Sequence, residues 1–216
     1  MRYNIKKNLV TLICLGAWLA FSGDAGAKAR EFPAVVEKEG YSFELQGRGY
    51  KRVLFMKAFD AGFYTTPGVS KDDLLKDVPK YLEVEYHVSI PGKSLTDYTI
   101  THMKRNVTRE EFSELKEEVR LMGEYFVDLK PHDRFSLMYL PGIGTQFAHN
   151  GEVVGVVSGD KFGRALFSVW IGSKPFDPNL KRKILGFIAP DDESQEERLA
   201  GIDNDDQPLS VSAGKI

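Results

Sequence analysis

The segment GEVVGVVSGDKFGRALFSVWIGSKPFDPNLKRKILG, Gly151 to Gly186, constrains the fold of this chain more than any other stretch. Val153, Val154, Val156 and Val157 are β-branched and lie between Gly151 and Gly159, which favours a short strand. Asp160 follows at the position expected of a helix N-cap, where a carboxylate accepts the unpaired amides of the first turn. Phe162, Leu166, Val169 and Trp170 fall at helical spacing on one face, with Lys161, Arg164 and Ser168 on the other. Gly172 is placed to close that helix. Asp177-Pro178 is a cap followed by proline at the first helical position, where its missing N–H costs nothing. Leu180, Ile184 and Leu185 give the next apolar face. The segment therefore predicts strand, turn, helix, corner and helix.

Upstream, Tyr41, Phe43 and Leu45 alternate with polar residues as in a strand with one buried face, and Gly47 and Gly49 predict a hairpin turn. A second strand is expected from Arg52 to Tyr64 and a short helix from Ser70 to Lys76. Tyr81 to Ile90 alternates sharply: Leu82, Val84, Tyr86 and Val88 face one side, and Glu83, Glu85, His87 and Ser89 face water. Ser94 to Asn106 reads as a helix after Pro91-Gly92. Thr108 to Glu111 is a capping box, followed by the apolar stripe Phe112, Leu115, Val119 and Met122. Arg134 to Leu140 is a strand. Thr145 to Ala148 and Glu152 to Val157 form a hairpin about Asn150-Gly151. Strands, a helix pair, strands and a second helix pair give the α+β class: an open-faced antiparallel β-sheet covered on one face by helices.

The termini differ in character. Arg2, Lys6 and Lys7 precede the apolar run Leu9 to Phe21 and the small-residue site Ala25-Gly26-Ala27, the pattern of a signal peptide over residues 1–27. The expected location is the periplasm or the exterior, with no stable membrane insertion after cleavage. Residues 28–189 then form the domain, and 190–216 an acidic tail without period, expected to be disordered. The only cysteine, Cys14, leaves with the signal, so the mature chain has no thiol. The whole chain carries a net −2; the removed segment holds three cations and Asp24, or +2, so the mature charge is −2 − 2 = −4. With no basic stripe, this speaks against a nucleic-acid partner. His87, His102, His132 and His149 show no paired spacing, so no metal site is expected. Gly142-x-Gly144 reads as a turn rather than a phosphate cradle, and no cofactor is implied.

One resemblance adds to this. Asp160, Phe162, Ala165, Leu166, Trp170, Ile171, Gly172, Pro175, Leu180, Leu185 and Gly186, in that order, follow the strand Leu54 to Tyr64 and the turn Pro141 to Thr145. From roughly Tyr41 to Gly186 the chain resembles the chalcone isomerase-like proteins. That resemblance implies helices packed over an antiparallel sheet with a cleft between the layers. In the plant enzymes of the superfamily an arginine stabilises a phenolate, a threonine and a tyrosine orient water at a ketone, and an asparagine with a Thr or Ser contacts the far ring. Carried over, the arginine falls in the Arg48 to Arg52 segment, with Lys51 the nearest match. The threonine position is Phe59, which cannot orient water. Asn106 matches the asparagine, but the tyrosine position is Thr99, with Tyr98 one residue away. The Thr or Ser falls near Gly163. Catalysis would need a cation for the phenolate and donors for the developing enolate.

The family also contains fatty-acid binders, which hold a carboxylate with an arginine and a tyrosine. The leading expectation is thus a non-catalytic binder of an apolar or amphipathic small molecule. Arg48, Lys51 or Arg52 would supply the cation and Tyr98 or Tyr64 a hydroxyl, with Phe59, Thr99, His102 and Asn106 also at the cleft. No catalytic residue is assigned, and the oligomeric state is left open. The alternatives are an intramolecular lyase of the chalcone isomerase type with a rearranged site, and an envelope structural or interaction module.

Overall fold

A computed structural model describes residues 32–189. The segments assigned above to the signal peptide and the acidic tail lie outside the described residues. Seven strands form one antiparallel sheet in simple sequence order. They are β1 (Val35–Lys38), β2 (Tyr41–Val53), β3 (Met56–Thr65), β4 (Lys80–Tyr86), β5 (Arg134–Leu140), β6 (Gly144–His149) and β7 (Glu152–Val157). The helices are α1 (Gly92–Asn106), α2 (Arg109–Glu114), α3 (Lys116–Tyr125), α4 (Asp160–Ile171) and α5 (Pro178–Ile184). The fold is α+β, as the periodicities predict. Among the described residues no helix is long and apolar enough to cross a membrane.

The alternation in β4 sets the layers. Leu82 pairs with Phe63 and Leu137, and Val84 with Ala61 and Phe135. Cross-strand partners share a face, so these residues form one buried row beneath the helices. Phe162, Leu166 and Phe167 of α4 and Leu180 and Ile184 of α5 complete that core. The opposite face is wet only in part. Phe43, Tyr64, Tyr81, Met138 and Leu140 form a second apolar cluster, closed by Phe32. The close approach needs Gly62, where a Cβ would lie 2.6 Å from the Phe32 ring. Beside that cluster, Arg134 bonds Glu85 at 2.6 Å and Glu83 at 2.9 Å, satisfying charges the sequence had assigned to water.

Two local expectations, the Gly47 and Gly49 turn and the Asp160 cap, need correction, and two details add to the rest. Gly47 and Gly49 are not a turn: β2 runs straight through both, with a bulge near Gly47, and reverses at Leu54-Phe55. Their glycines admit α5, since a Cβ on Gly47 would sit 2.3 Å from the Lys183 carbonyl oxygen. Strand β1 was not expected; it pairs with β2 across Glu39-Gly40, both at positive φ. Asp160 does not cap α4: the N-cap is Gly159, at φ +100°, and no side chain bonds the first amides. Gly172 closes α4 at φ −70°, so its backbone is ordinary. It is glycine for space, because a Cβ would meet Asn106 Oδ1 at 2.5 Å. The capping box at Thr108 and the Asp177-Pro178 start of α5 are as predicted, as is the Asn150-Gly151 turn, both residues left-handed.

Candidate functional site

The register of β2 against β3 sorts the three candidate cations. Lys51 pairs with Phe59 and so faces the helices. Arg48 pairs with Gly62, whose side-chain direction meets Phe32, and therefore lies on the opposite face, exposed. Arg52 is also exposed, with its guanidinium 5.2 Å from the centre of the Tyr50 ring. The three were expected to serve one cleft; the period-two backbone separates Arg48 from Lys51 by a full sheet thickness.

Lys51 is not alone. Its ammonium lies 2.7 Å from Asp177 Oδ2, while Asp177 Oδ1 accepts the Leu180 amide as the N-cap of α5. One carboxylate thus holds both a helix start and a strand cation. Lys51 retains further N–H donors, since an ammonium has three.

Phe59 lies beside Lys51 at the centre of an aromatic group drawn from both layers. Its ring centre is 5.7 Å from Tyr86, 5.9 Å from Trp170 and 6.2 Å from Phe176. Trp170 meets Phe176 edge-on at 4.8 Å. From α1, the Tyr98 and His102 rings lie 4.3 Å apart, tilted by 48°, and both lie beside Phe176. Phe59 and Tyr86 are buried, whereas Tyr98 and Trp170 are half-buried and form the rim. Offset and edge contacts of this kind stabilise beyond area burial alone. His102 is buried, and its Nδ1 is 3.5 Å from the Arg105 guanidinium.

The remaining candidates are placed elsewhere or otherwise occupied. Tyr64 belongs to the Phe32 cluster on the far face, fully buried, with no hydrogen bond to its hydroxyl. Burial first, and then Glu83, raise its pKa above the ordinary phenol value. It is not part of the helix-covered site. Thr99 is buried within α1. Asn106 is a structural bracket: its amide donates to His102 O and Lys174 O and accepts from Lys174 N at 2.9 Å. With those groups spent, it tethers α1 to the corner after α4. The structure thus unites Lys51, Phe59, Tyr98 and His102, and excludes Arg48, Arg52 and Tyr64.

Two features escaped the sequence. Phe176 is a hub of the aromatic group, but it sits in an irregular corner where periodicity says nothing. Lys80, at the far end of the same face, is 1 % exposed. Its ammonium donates to Lys76 O at 3.0 Å and lies 4.1 Å from the centre of the Tyr139 ring and 5.6 Å from that of Phe167. Burial pulls its pKa down to about 8, with Asp77 opposing. Tyr139 donates to Asp77 at 2.5 Å. Next to it the Thr145 hydroxyl is buried without a partner.

One group of described residues has metal-ligand spacing. Glu85, His87 and His132 offer donor atoms all within 4.8 Å of one another, on the face away from the helices. His87 and His132 are far apart in sequence and are joined by the turn into β5. Two of the three are already engaged: Glu85 by Arg134, and His87 Nε2 by Asp60 at 2.6 Å.

A family model described as chalcone isomerase-like matches residues 26–186. The chain belongs to the chalcone isomerase-like family. A crystal structure of an Arabidopsis thaliana fatty-acid binding protein is similar with a TM-score of 0.57 at 18% identity, covering 71% of this chain and 90% of that one. At that identity the likeness shows the fold. No curated protein matches. Phe59, the residue that the resemblance matches to a water-orienting threonine, is walled in by three other rings. A phenyl ring has neither donor nor acceptor with which to hold water.

Proposed function

We propose that the protein is a non-catalytic binder of an amphipathic small molecule, a fatty-acid-like carboxylate, acting in the periplasm or outside the cell. The tail would lie against Tyr98 and Trp170 at the rim of the aromatic group, and the carboxylate would meet Lys51. The observation that carries this reading is the pairing of Lys51 with Phe59. It sets one ammonium beside an aromatic group on the helix-covered face, with a phenyl ring at the position that the resemblance gives to a water-orienting threonine. Such a pair satisfies the two needs of an amphipathic ligand, apolar contact and one directed charge. The fold shared with a fatty-acid binding protein supports the same ligand class. The signal-like start of the chain supports the location.

Asp177 competes for Lys51, so the ligand carboxylate shares the ammonium rather than replacing its partner. Calorimetric titration of the purified protein with octanoate, dodecanoate and hexadecanoate tests the reading. Saturable one-to-one binding is expected, and Lys51→Met should raise Kd by about tenfold, the cost of a charged hydrogen bond. No binding by any chain length, or no effect of the substitution, would overturn it.

A further inference from the structure

The hairpin between β2 and β3 ends in Val53-Leu54-Phe55-Met56, with Val53 paired to Met56, so Leu54 and Phe55 form a two-residue loop. Leu54 is 85% exposed, Phe55 99% and Met56 53%. Among the described residues the other exposed large apolar ones are Val35, Ile143, Val153, Val156 and Phe187, and none of them forms a run of three. Scattered apolar residues are normal on a protein surface, whereas a contiguous protruding group marks an interaction site. The backbone agrees. Leu54 has a φ of +56°, in a loop position where Gly, Asn or Asp is the usual occupant. A bulky apolar residue held in that conformation is strained, and strain of this kind gathers at functional sites.

Cations lie directly behind the tip. Residues 48–57 contain Arg48, Lys51, Arg52 and Lys57 and no carboxylate. Lys57 is bonded to Asp60 at 2.6 Å and Lys51 to Asp177 at 2.7 Å. Arg48 and Arg52 are exposed, and Tyr50, an amphipathic ring, sits among them with Arg52 and Lys57 over it.

We propose that this hairpin tip inserts into the surface of an anionic lipid bilayer. Leu54, Phe55 and Met56 reach the boundary between headgroups and acyl chains, and the basic collar behind them meets the phosphates. Tyr50 suits the headgroup level. A two-residue loop is too narrow for a stable protein interface, which takes about 800 Å² per partner. A lipid surface needs no matching shape. The whole chain is net acidic at −2, which sets this carboxylate-free basic stretch apart from its average. Lys51 and Phe59 follow next along the strands, so a docked hairpin would bring the rim of the aromatic group close to the lipid. Docking through the tip does not depend on what that rim binds.

Flotation of the protein, as recovered from its cells, with phosphatidylglycerol vesicles and with phosphatidylcholine vesicles tests the proposal. Association with the anionic vesicles is expected, weakening as salt is raised. The double variant Leu54→Asn with Phe55→Ser keeps a residue suited to the left-handed position and should lower partitioning by about tenfold or more, with an unchanged thermal midpoint. Phe55→Trp should show blue-shifted emission and quenching by brominated acyl chains, relative to the parent. The proposal is overturned if the parent stays in the lipid-free fraction, or if the double variant partitions as the parent does. It is equally overturned by self-association that the double variant abolishes without any vesicle binding, which would assign the tip to a second copy of the chain. Because the readout is vesicle association, failure here leaves the acid titration intact, and the reverse also holds.

Discussion

Two lysines on the helix-covered face mark its two ends and have opposite environments. Lys51 opposes Phe59 and Lys80 opposes Thr65, six residues apart on β3, or about 20 Å along the strand. Lys51 keeps a third of its side-chain surface in water and has a carboxylate partner. Lys80 has almost no exposure and one hydrogen bond, with two aromatic rings around its charge. Burial explains the difference in chemistry. A cation that keeps some water can share its donors with an incoming anion; one sealed under α4 has already lost its solvation, and its proton is held less tightly. The sealed end supports the fold, and the open end is the one that the proposed ligand would reach.

The largest effect should separate the two ends by packing. Phe167 is fully buried above Lys80, so Phe167→Ala should cost about 3–5 kcal/mol. Trp170, half-buried at the Lys51 end, should cost less on truncation because part of its surface is already wet. Urea unfolding of both variants measures this. Equal losses would break the distinction between a sealed end and an open one.

Next in size is the pH dependence that Lys80 imposes. Its folded pKa is about 8 against 10.5 in the unfolded chain. Between those values the unfolded chain keeps a proton that the folded protein has released, so stability rises with pH through that window. The contribution is at most about 3 kcal/mol. Above about pH 10 the slope reverses, because burial raises the phenol pKa of Tyr64, Tyr81, Tyr86 and Tyr139, while unfolded tyrosines ionise near 10. Lys80→Met should be more stable than the parent at neutral pH and should lose the rise between pH 8 and 10. A parent whose stability is flat over that range would mean Lys80 keeps its solvation.

These contrasts bear on how much was legible in the residues. The alternation of Leu82, Val84 and Tyr86 and the stripe Phe162, Leu166 and Val169 are local periods, and they place the sheet and its helices correctly. The cap at Asp177 and the turn at Asn150-Gly151 are also local chemistry. Gly47 and Gly49 mislead because a glycine reads the same whether it bends the chain or admits a neighbour. Only the arrival of α5, more than a hundred residues later, decides which. Arg48, Lys51 and Arg52 look equivalent as a basic cluster, yet the register of β2, with its bulge near Gly47 and its turn at Leu54-Phe55, sends them to different surroundings. Lys80 was invisible for a related reason. A lysine at the start of a strand is ordinarily solvated, and nothing nearby announces that Phe167 will close over it. Glu85, His87 and His132 escaped any spacing rule because a turn, not a motif, brings them together.

A smaller effect tests whether Lys51 is held or merely accompanied. Asp177→Ala removes the N-cap of α5 and the Lys51 partner together, and should cost about 1 kcal/mol, the usual worth of a cap. It should not weaken binding of dodecanoate, because it leaves the ammonium with one competitor fewer. Stability measured by urea and affinity measured by calorimetry should therefore move independently. A loss of affinity matching the loss of stability would instead mean that Asp177 positions Lys51 for its ligand.

The smallest expected change is in stability on Lys51→Met. The pair it removes is partly exposed, and such pairs contribute between about 0 and 1 kcal/mol. The methylene stem of the lysine is replaced by one of similar length, so packing on Phe59 is largely kept. Asp177 can still accept the Leu180 amide, so α5 keeps its cap. Urea unfolding should thus find Lys51→Met within about 1 kcal/mol of the parent, whereas acid binding falls. A large loss of stability would place Lys51 with Lys80, as a cation the fold requires, and would remove the reason for regarding its end of the sheet as the one that receives a ligand.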